Sequence, residues 1–89
     1  MGVYRASEAF WKSFYALSPE QKESVREKWK IFKIDPFDPR LGTHQINWLS
    51  SLHQATVYAS CIEGDLRVVF KIVDGEIWTI DVGTHSIYR

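Results

Sequence analysis

The sequence predicts an α+β fold in which an N-terminal helical hairpin packs on a small twisted antiparallel sheet, and two observations carry that prediction. Apolar residues recur at helical spacing up to about residue 33, and from Val57 onward they alternate with a period of two. Asp35-Pro36 and Asp38-Pro39 close the helical part, because a residue before proline is pushed out of the α region. With 89 residues, 45% of them hydrophobic, the chain is expected to form one domain over residues 1–89 with a modest core.

Val3 to Ala6 reads as a short first strand. Ser7 stands at an N-cap position, and Phe10, Trp11, Phe14, Tyr15 and Leu17 follow on one helical face. Ser18-Pro19-Glu20 starts a second helix: Ser as N-cap, Pro where its missing N–H costs nothing, and an acid facing the positive helix end. Val25, Trp29 and Phe32 form the apolar stripe of this helix, while Glu23, Arg26, Glu27 and Lys30 give opposite-charge pairs on its wet side. Trp11, Trp29 and Trp78 are expected in the core. The segment from Leu41 to Gln54 reads as irregular, with a short strand near His44 to Trp48, and His53 falls in a loop with no assigned role.

Three β-rich runs then follow, broken at Glu63-Gly64-Asp65 and at Asp74-Gly75, as in an antiparallel meander. In the middle run Leu66, Val68, Phe70 and Ile72 alternate with Arg67, Val69 and Lys71, so the even set should face the helices. The apolar set of the last run is Trp78, Ile80 and Val82. Both sets share a face if the turn has three residues, Val73-Asp74-Gly75. That register puts Arg67 opposite or diagonal to Asp81 on the open face, with Thr79, Lys71 and Val69 nearby, and a strand continued past Gly83 would bring His85 there. Val57, Ala59 and Cys61 are the better core set of the first run, which leaves Tyr58 and Ser60 on the open face.

Composition narrows the function classes. No apolar run approaches the roughly 20 residues of a membrane helix, and charged residues stand where a leader would be apolar, so a cytoplasmic protein with no membrane partner is expected. Cys61 is the single cysteine, which excludes an internal disulfide and a cysteine-rich zinc site. Eleven basic and eleven acidic residues give no global attraction to nucleic acid. Residues 1–40 carry eight basic and six acidic side chains, and residues 41–89 three and five, so any RNA contact must come from a local patch.

Three motifs in order are more specific. Asp35-Pro36-Phe37-Asp38-Pro39-Arg40-Leu41-Gly42-Thr43-His44 resembles the segment after the helical hairpin in RelE/ParE toxins. Gly64-Asp65-Leu66-Arg67-Val68-Val69-Phe70 resembles their central strand, and Asp81-Val82-Gly83-Thr84-His85 followed by Tyr88 is similar to their C-terminal end. The resemblance, over nearly the whole chain, implies a type II toxin of the YafQ-like or RelE-like kind, a metal-independent endoribonuclease acting on mRNA at the ribosome, held in check by a cognate antitoxin. It implies that Arg67 stabilises the phosphate transition state, that His44 and His85 match family histidines, and that Tyr88 lies near a terminal aromatic used in catalysis or base stacking. Asp81 is then an orienting residue, and Lys71 and Arg89 are the cations expected to touch RNA. Gln45 and Asn47 stand where RelE has lysines, which argues against a lysine-based mechanism. The near-neutral charge departs from the basic character usual in ribosome-directed toxins.

The chemistry fits those residue types. RNA supplies its own nucleophile, the 2′-OH, so cleavage needs a base, an acid and a cation, and histidine, with an ordinary pKa of about 6.5, suits either proton role. No cofactor or metal is expected, since close-spaced ligand pairs are absent. Each residue also has a structural role to compete with: Arg67 as a partner of Asp81, His44 as a loop or capping group, His85 as a turn residue, Tyr88 as a packing residue. Two further readings stand beside the nuclease: a ParE-like inhibitor of DNA gyrase, and a family member without activity.

Overall fold

The computed structural model describes residues 3–84. Strand β1 (Val3–Ala6) leads into helices α1 (Glu8–Tyr15) and α2 (Pro19–Phe32), and a 3-10 turn over Pro39–Leu41 follows. Strand β2 (His44–Gln45), helix α3 (Asn47–His53) and strands β3 (Val57–Glu63), β4 (Leu66–Val73) and β5 (Glu76–Gly83) complete the order. The sheet runs β1-β5-β4-β3-β2, so the first and last strands pair at one edge and β4 lies at the centre. The meander is antiparallel as expected, but β1 lies parallel to β5, which makes the whole sheet mixed.

Both helices of the hairpin begin where the sequence places them. Ser7 Oγ accepts from the Phe10 amide at 3.0 Å and donates to the Ile80 carbonyl at 2.7 Å, so one hydroxyl caps α1 and ties it to β5. Ser18 and Gln21 form a reciprocal capping box, each side chain satisfying the other's amide. The charge pairs Glu23–Arg26 and Glu27–Lys30 lie on the exposed side of α2. Asp38 caps the 3-10 turn and chelates Arg40 through Nε and Nη2 at 3.0 and 2.9 Å. That pairing, with the Arg40 amide adding to it, lowers the Asp38 carboxyl to about 2.

The core has two sides. Against the hairpin, Phe10, Phe14 and Val25 pack on Ile62, Leu66, Val68 and Val82, and Phe32 packs on Leu41, Phe70 and Ile77. Phe70 is completely buried, with the rings of Phe32, Phe37 and Tyr58 around it. Tyr4 reaches the last carbonyls of α2, its hydroxyl 3.0 Å from Phe32 O and 2.9 Å from Lys33 O; burial first, then the Asp35 charge, pushes its phenol up. On the opposite face, Ile46 and Leu49 from the start of α3 cover Val57, Ala59 and Val69, with Ile80 packed at the edge.

Several expectations are corrected. Val73 pairs directly with Glu76, so the β4–β5 turn has two residues, Asp74 and Gly75, at φ +50° and +78°. Asp-Gly suits that geometry, because two left-handed residues match the twist of a hairpin. Near the turn, even positions of β4 therefore share a face with odd positions of β5, and Ile77 and Thr79 are buried toward the hairpin in place of Trp78 and Ile80. Ile80 is an extra residue between the pairs Phe70–Thr79 and Val69–Asp81, and this bulge returns Val82 to the hairpin side.

In β3 the faces are the reverse of those expected. Tyr58, Ser60 and Ile62 lie toward the hairpin, where Ser60 meets Thr43 at 2.7 Å, while Val57 and Ala59 form the core beneath α3. Trp11 is 46% exposed, one position off the stripe that Phe10 and Phe14 bury. Trp29 and Trp78 are half-buried. The segment from Leu41 to Gln54 is ordered, with a strand of only two residues, His44 and Gln45, before α3; His53 ends that helix.

Candidate functional site

The odd positions of β3 and β4 and the end of β5 define the face opposite the hairpin. Two cross-strand rows run over it. One holds Cys61, Arg67 and Gly83, and the other His44, Ala59, Val69 and Asp81. Because directly paired residues project to the same side, His44, Cys61, Arg67 and Asp81 share this face. Arg67 is thus diagonal to Asp81, as expected, while Thr79, expected beside it, is buried on the other side. The face is only partly open, since α3 covers Val69 and its neighbours.

Arg67 is half-buried, and its Nη1 donates to the carbonyls of Gly64 at 2.7 Å and Leu66 at 3.2 Å. Its Nε is buried with no hydrogen-bond partner among the described residues. No ion pair joins it to Asp81, nor to any other carboxylate among the described residues. Asp81 instead accepts from the Val82 amide at 2.8 Å through Oδ1. The competing reading of Arg67 as the salt-bridge partner of Asp81 does not match this geometry. A guanidinium held by carbonyls alone has no counter-charge from them, and an anion offers a Coulomb attraction that a neutral carbonyl lacks.

His44 is exposed, with Nδ1 3.2 Å from the Gly42 carbonyl. It lies two strands from Arg67, roughly 10 to 12 Å between backbones. In the structure the Arg67 head group leans toward Gly64 at the β3–β4 turn, away from the row of His44. The two residues share a face without touching. Lys71 pairs with Val57 and Trp78 on the same face, roughly 13 Å along β4 from Arg67, so it is not part of the Arg67 row. His85, Tyr88 and Arg89 lie outside the described residues.

Cys61 is a neighbour of the site that the sequence does not reveal. It is the cross-strand partner of Arg67 and touches Gly42, yet its only sequence signal was alternation, which placed it in the core. A groove of about 560 Å³ opens on the hairpin side, lined by Tyr4, Phe10, Trp11, Phe14, Tyr15 and Trp29 among others, and it is remote from the Arg67 face. Trp11 and Tyr15 stack at its exposed wall with centroids 5.9 Å apart. Arg5 borders the groove through its strand, but its guanidinium lies over Trp78 and pairs with Glu76. Among the described residues, no group of three or more His, Cys, Asp or Glu side chains could hold a metal ion, and no helix is long and apolar enough to cross a membrane.

No protein-family model and no curated protein matches the sequence. Solved structures do match in fold. YafQ from E. coli superposes with a TM-score of 0.72 at 14% identity, over 98% of this chain and 97% of that one. RelE of the archaeal RelE–RelB complex from Pyrococcus horikoshii gives 0.70 at 14% identity, over 92% of each chain. A copper-bound mutant toxin from Helicobacter pylori gives 0.65 at 20% identity over the whole of both chains. The element order, the hairpin on one face of the sheet and these superpositions together give the chain the RelE/YafQ-like toxin fold.

Proposed function

We propose that this protein is the toxin of a type II toxin–antitoxin pair and that it cleaves mRNA without a metal. The observation that carries this reading is Arg67: a half-buried guanidinium with no carboxylate partner among the described residues, on a sheet face shared with His44, in a toxin fold. In the reaction the 2′-OH of the substrate gives its proton to His44 and its oxygen bonds to phosphorus. The P–O5′ bond breaks, and the departing 5′-oxygen takes a proton from His85, the acid implied by the family resemblance. The products are a 2′,3′-cyclic phosphate and a 5′-OH end. Arg67 leaves the Gly64 carbonyl for the phosphate, whose charge makes the stronger bonds, and so comes toward the row of His44.

Lys71 and Arg89 hold flanking phosphates, Tyr88 stacks on a base, and Asp81 orients the end of β5 through the Val82 amide. The substrate is mRNA on the ribosome in the cytoplasm. The partner is an antitoxin whose flexible segment covers the catalytic face and the hairpin; the exposed Trp11–Tyr15 pair and its groove support a contact there. Complexes of RelE with RelB and of DinJ with YafQ are known for proteins of this fold, which supports a partner of that class.

The test is induced expression in a bacterial host of wild type and of Arg67→Ala with His85→Ala, following growth and mRNA 5′-end mapping together. Growth arrest with new ends in wild type, and neither in the double variant, is expected. Arrest without new ends would move the assignment to gyrase inhibition, and no arrest would favour an inactive member.

A further inference from the structure

Gly42 sits at φ +55°, directly after the 3-10 turn, and a Cβ there would lie 3.3 Å from Cys61 Sγ and 3.8 Å from Cys61 Cβ. Only a residue without a side chain lets the loop rest this closely on β3 in an unstrained left-handed conformation. Its carbonyl is thereby directed at two groups: His44 Nδ1 at 3.2 Å, and the Cys61 thiol, whose sulfur lies 3.9 Å away.

A carbonyl oxygen only accepts hydrogen bonds, so the ring nitrogen facing it must carry the proton. In the neutral imidazole Nε2 then becomes the basic nitrogen. A solvated histidine prefers the other tautomer, and the state of one ring nitrogen is set by the hydrogen bond that the other makes. We propose that Gly42 is a positioning residue that fixes His44 as the Nδ1–H tautomer, its lack of a side chain letting the loop rest against Cys61 with the carbonyl aimed at the ring. Its functional meaning rests on the reading of His44 as the base in RNA cleavage, but the tautomer can be observed without any activity.

The arrangement is local and continuous. Pairing of His44 with Ala59 fixes the ring's backbone, the left-handed turn at Gly42 aims the carbonyl back at that ring, and Cys61, two residues further along β3, is the side chain the turn rests on. Cys61 is also the cross-strand partner of Arg67, so the contact links the loop carrying His44 to the strand carrying the cation.

Long-range 1H–15N spectra of 15N-histidine protein at a pH where the ring is neutral read the tautomer. The chain has three histidines, and loss of one signal set in His44→Gln assigns the resonances. Wild type should show the Nδ1–H pattern for His44. Gly42→Ala should move it toward Nε2–H, and Gly42→Ala with Cys61→Ala should restore at least half of the change, because the sulfur that opposed the new Cβ is gone while the backbone strain is the same in both. Wild type in the Nε2–H form would overturn the proposal even if Gly42→Ala failed to fold. A folded Gly42→Ala with an unchanged tautomer would also overturn it. In a cleavage assay Gly42→Ala should lower kcat roughly tenfold and leave KM unchanged. Wild type with the Nδ1–H pattern but no RNA cleavage would support the positioning and sink the nuclease reading.

Discussion

Arg67 Nη1 donates to the carbonyl oxygen of Gly64 at 2.7 Å, so among the described residues the guanidinium is anchored to the turn that precedes its own strand and not to a carboxylate. A cation held in this way is restrained yet keeps its charge for a ligand. Replacing Arg67 with Ala should reduce RNA cleavage by roughly 100- to 1,000-fold, the range for losing one transition-state donor. Unfolding free energy should change by about 1.5 kcal/mol, the low end for bonds of a charged donor, because the guanidinium is only half-buried. Single-turnover cleavage and urea denaturation of the same preparations check both parts. Equal losses in the two would make Arg67 a structural residue.

Ser7 ties the start of α1 to β5. Its hydroxyl caps α1 and bonds the carbonyl of the bulge residue Ile80, and its amide donates to Thr79 at 2.9 Å. Ser7→Ala should destabilise the protein by about 1 to 2 kcal/mol. Ser7→Thr, which retains the hydroxyl, should recover most of it. Denaturation midpoints at constant m-value are the measurement.

Phe70 is fully buried beneath the hairpin, with an edge-on contact to Phe32 at 4.9 Å between centroids. Phe70→Ala should cost about 3 to 5 kcal/mol, a large part of the stability of a domain this size. Phe37→Ala, at the exposed rim of the same cluster, should cost clearly less. Comparable losses at the two positions would place the core elsewhere.

The Asp38 carboxyl is held at about 2 by its hydrogen bonds to Arg40, below the unfolded-state value near 3.9. A carboxylate with a depressed folded-state pKa stabilises in full above about pH 4, and its contribution is lost as pH falls through about 2. Asp38→Asn should therefore be less stable than wild type at neutral pH, and the gap should close toward pH 2. Thermal melts of both proteins from pH 7 to pH 2 test this, and a gap independent of pH would remove the Asp38–Arg40 pair as its cause.

Much of the fold was legible because its signals are local. The capping serines and Pro19 mark both helix starts, and Asp-Pro pairs mark where the helical part stops. Strand and turn positions from Val57 onward follow from alternation and the Gly-Asp and Asp-Gly pairs. The arrangement of Arg67 diagonal to Asp81 was also legible, although it was reached by a three-residue turn where the chain uses a two-residue turn and a bulge. Two shifts of one residue cancel by the end of β5, which is why Val82 and Asp81 lie where alternation with a three-residue turn puts them, while Thr79, Trp78 and Ile80 do not.

What the sequence determined by itself is where the two hairpin helices and the meander strands lie and which residues of β4 face the hairpin, because capping, turn chemistry and period are properties of neighbours along the chain; α3, without a side-chain cap, left no such signal. What only the tertiary structure decided is which face each β3 and β5 residue takes, where Trp11 goes, and what meets Arg67. Alternation defines two faces but does not say which is covered, and here α3 buries the second one, so Val57, Ala59 and Val69 are core on the side that sequence alone left open. The contact between Gly42 and Cys61 has the same origin. Nineteen positions separate them in sequence, and only the pairing of β2 with β3 brings them together.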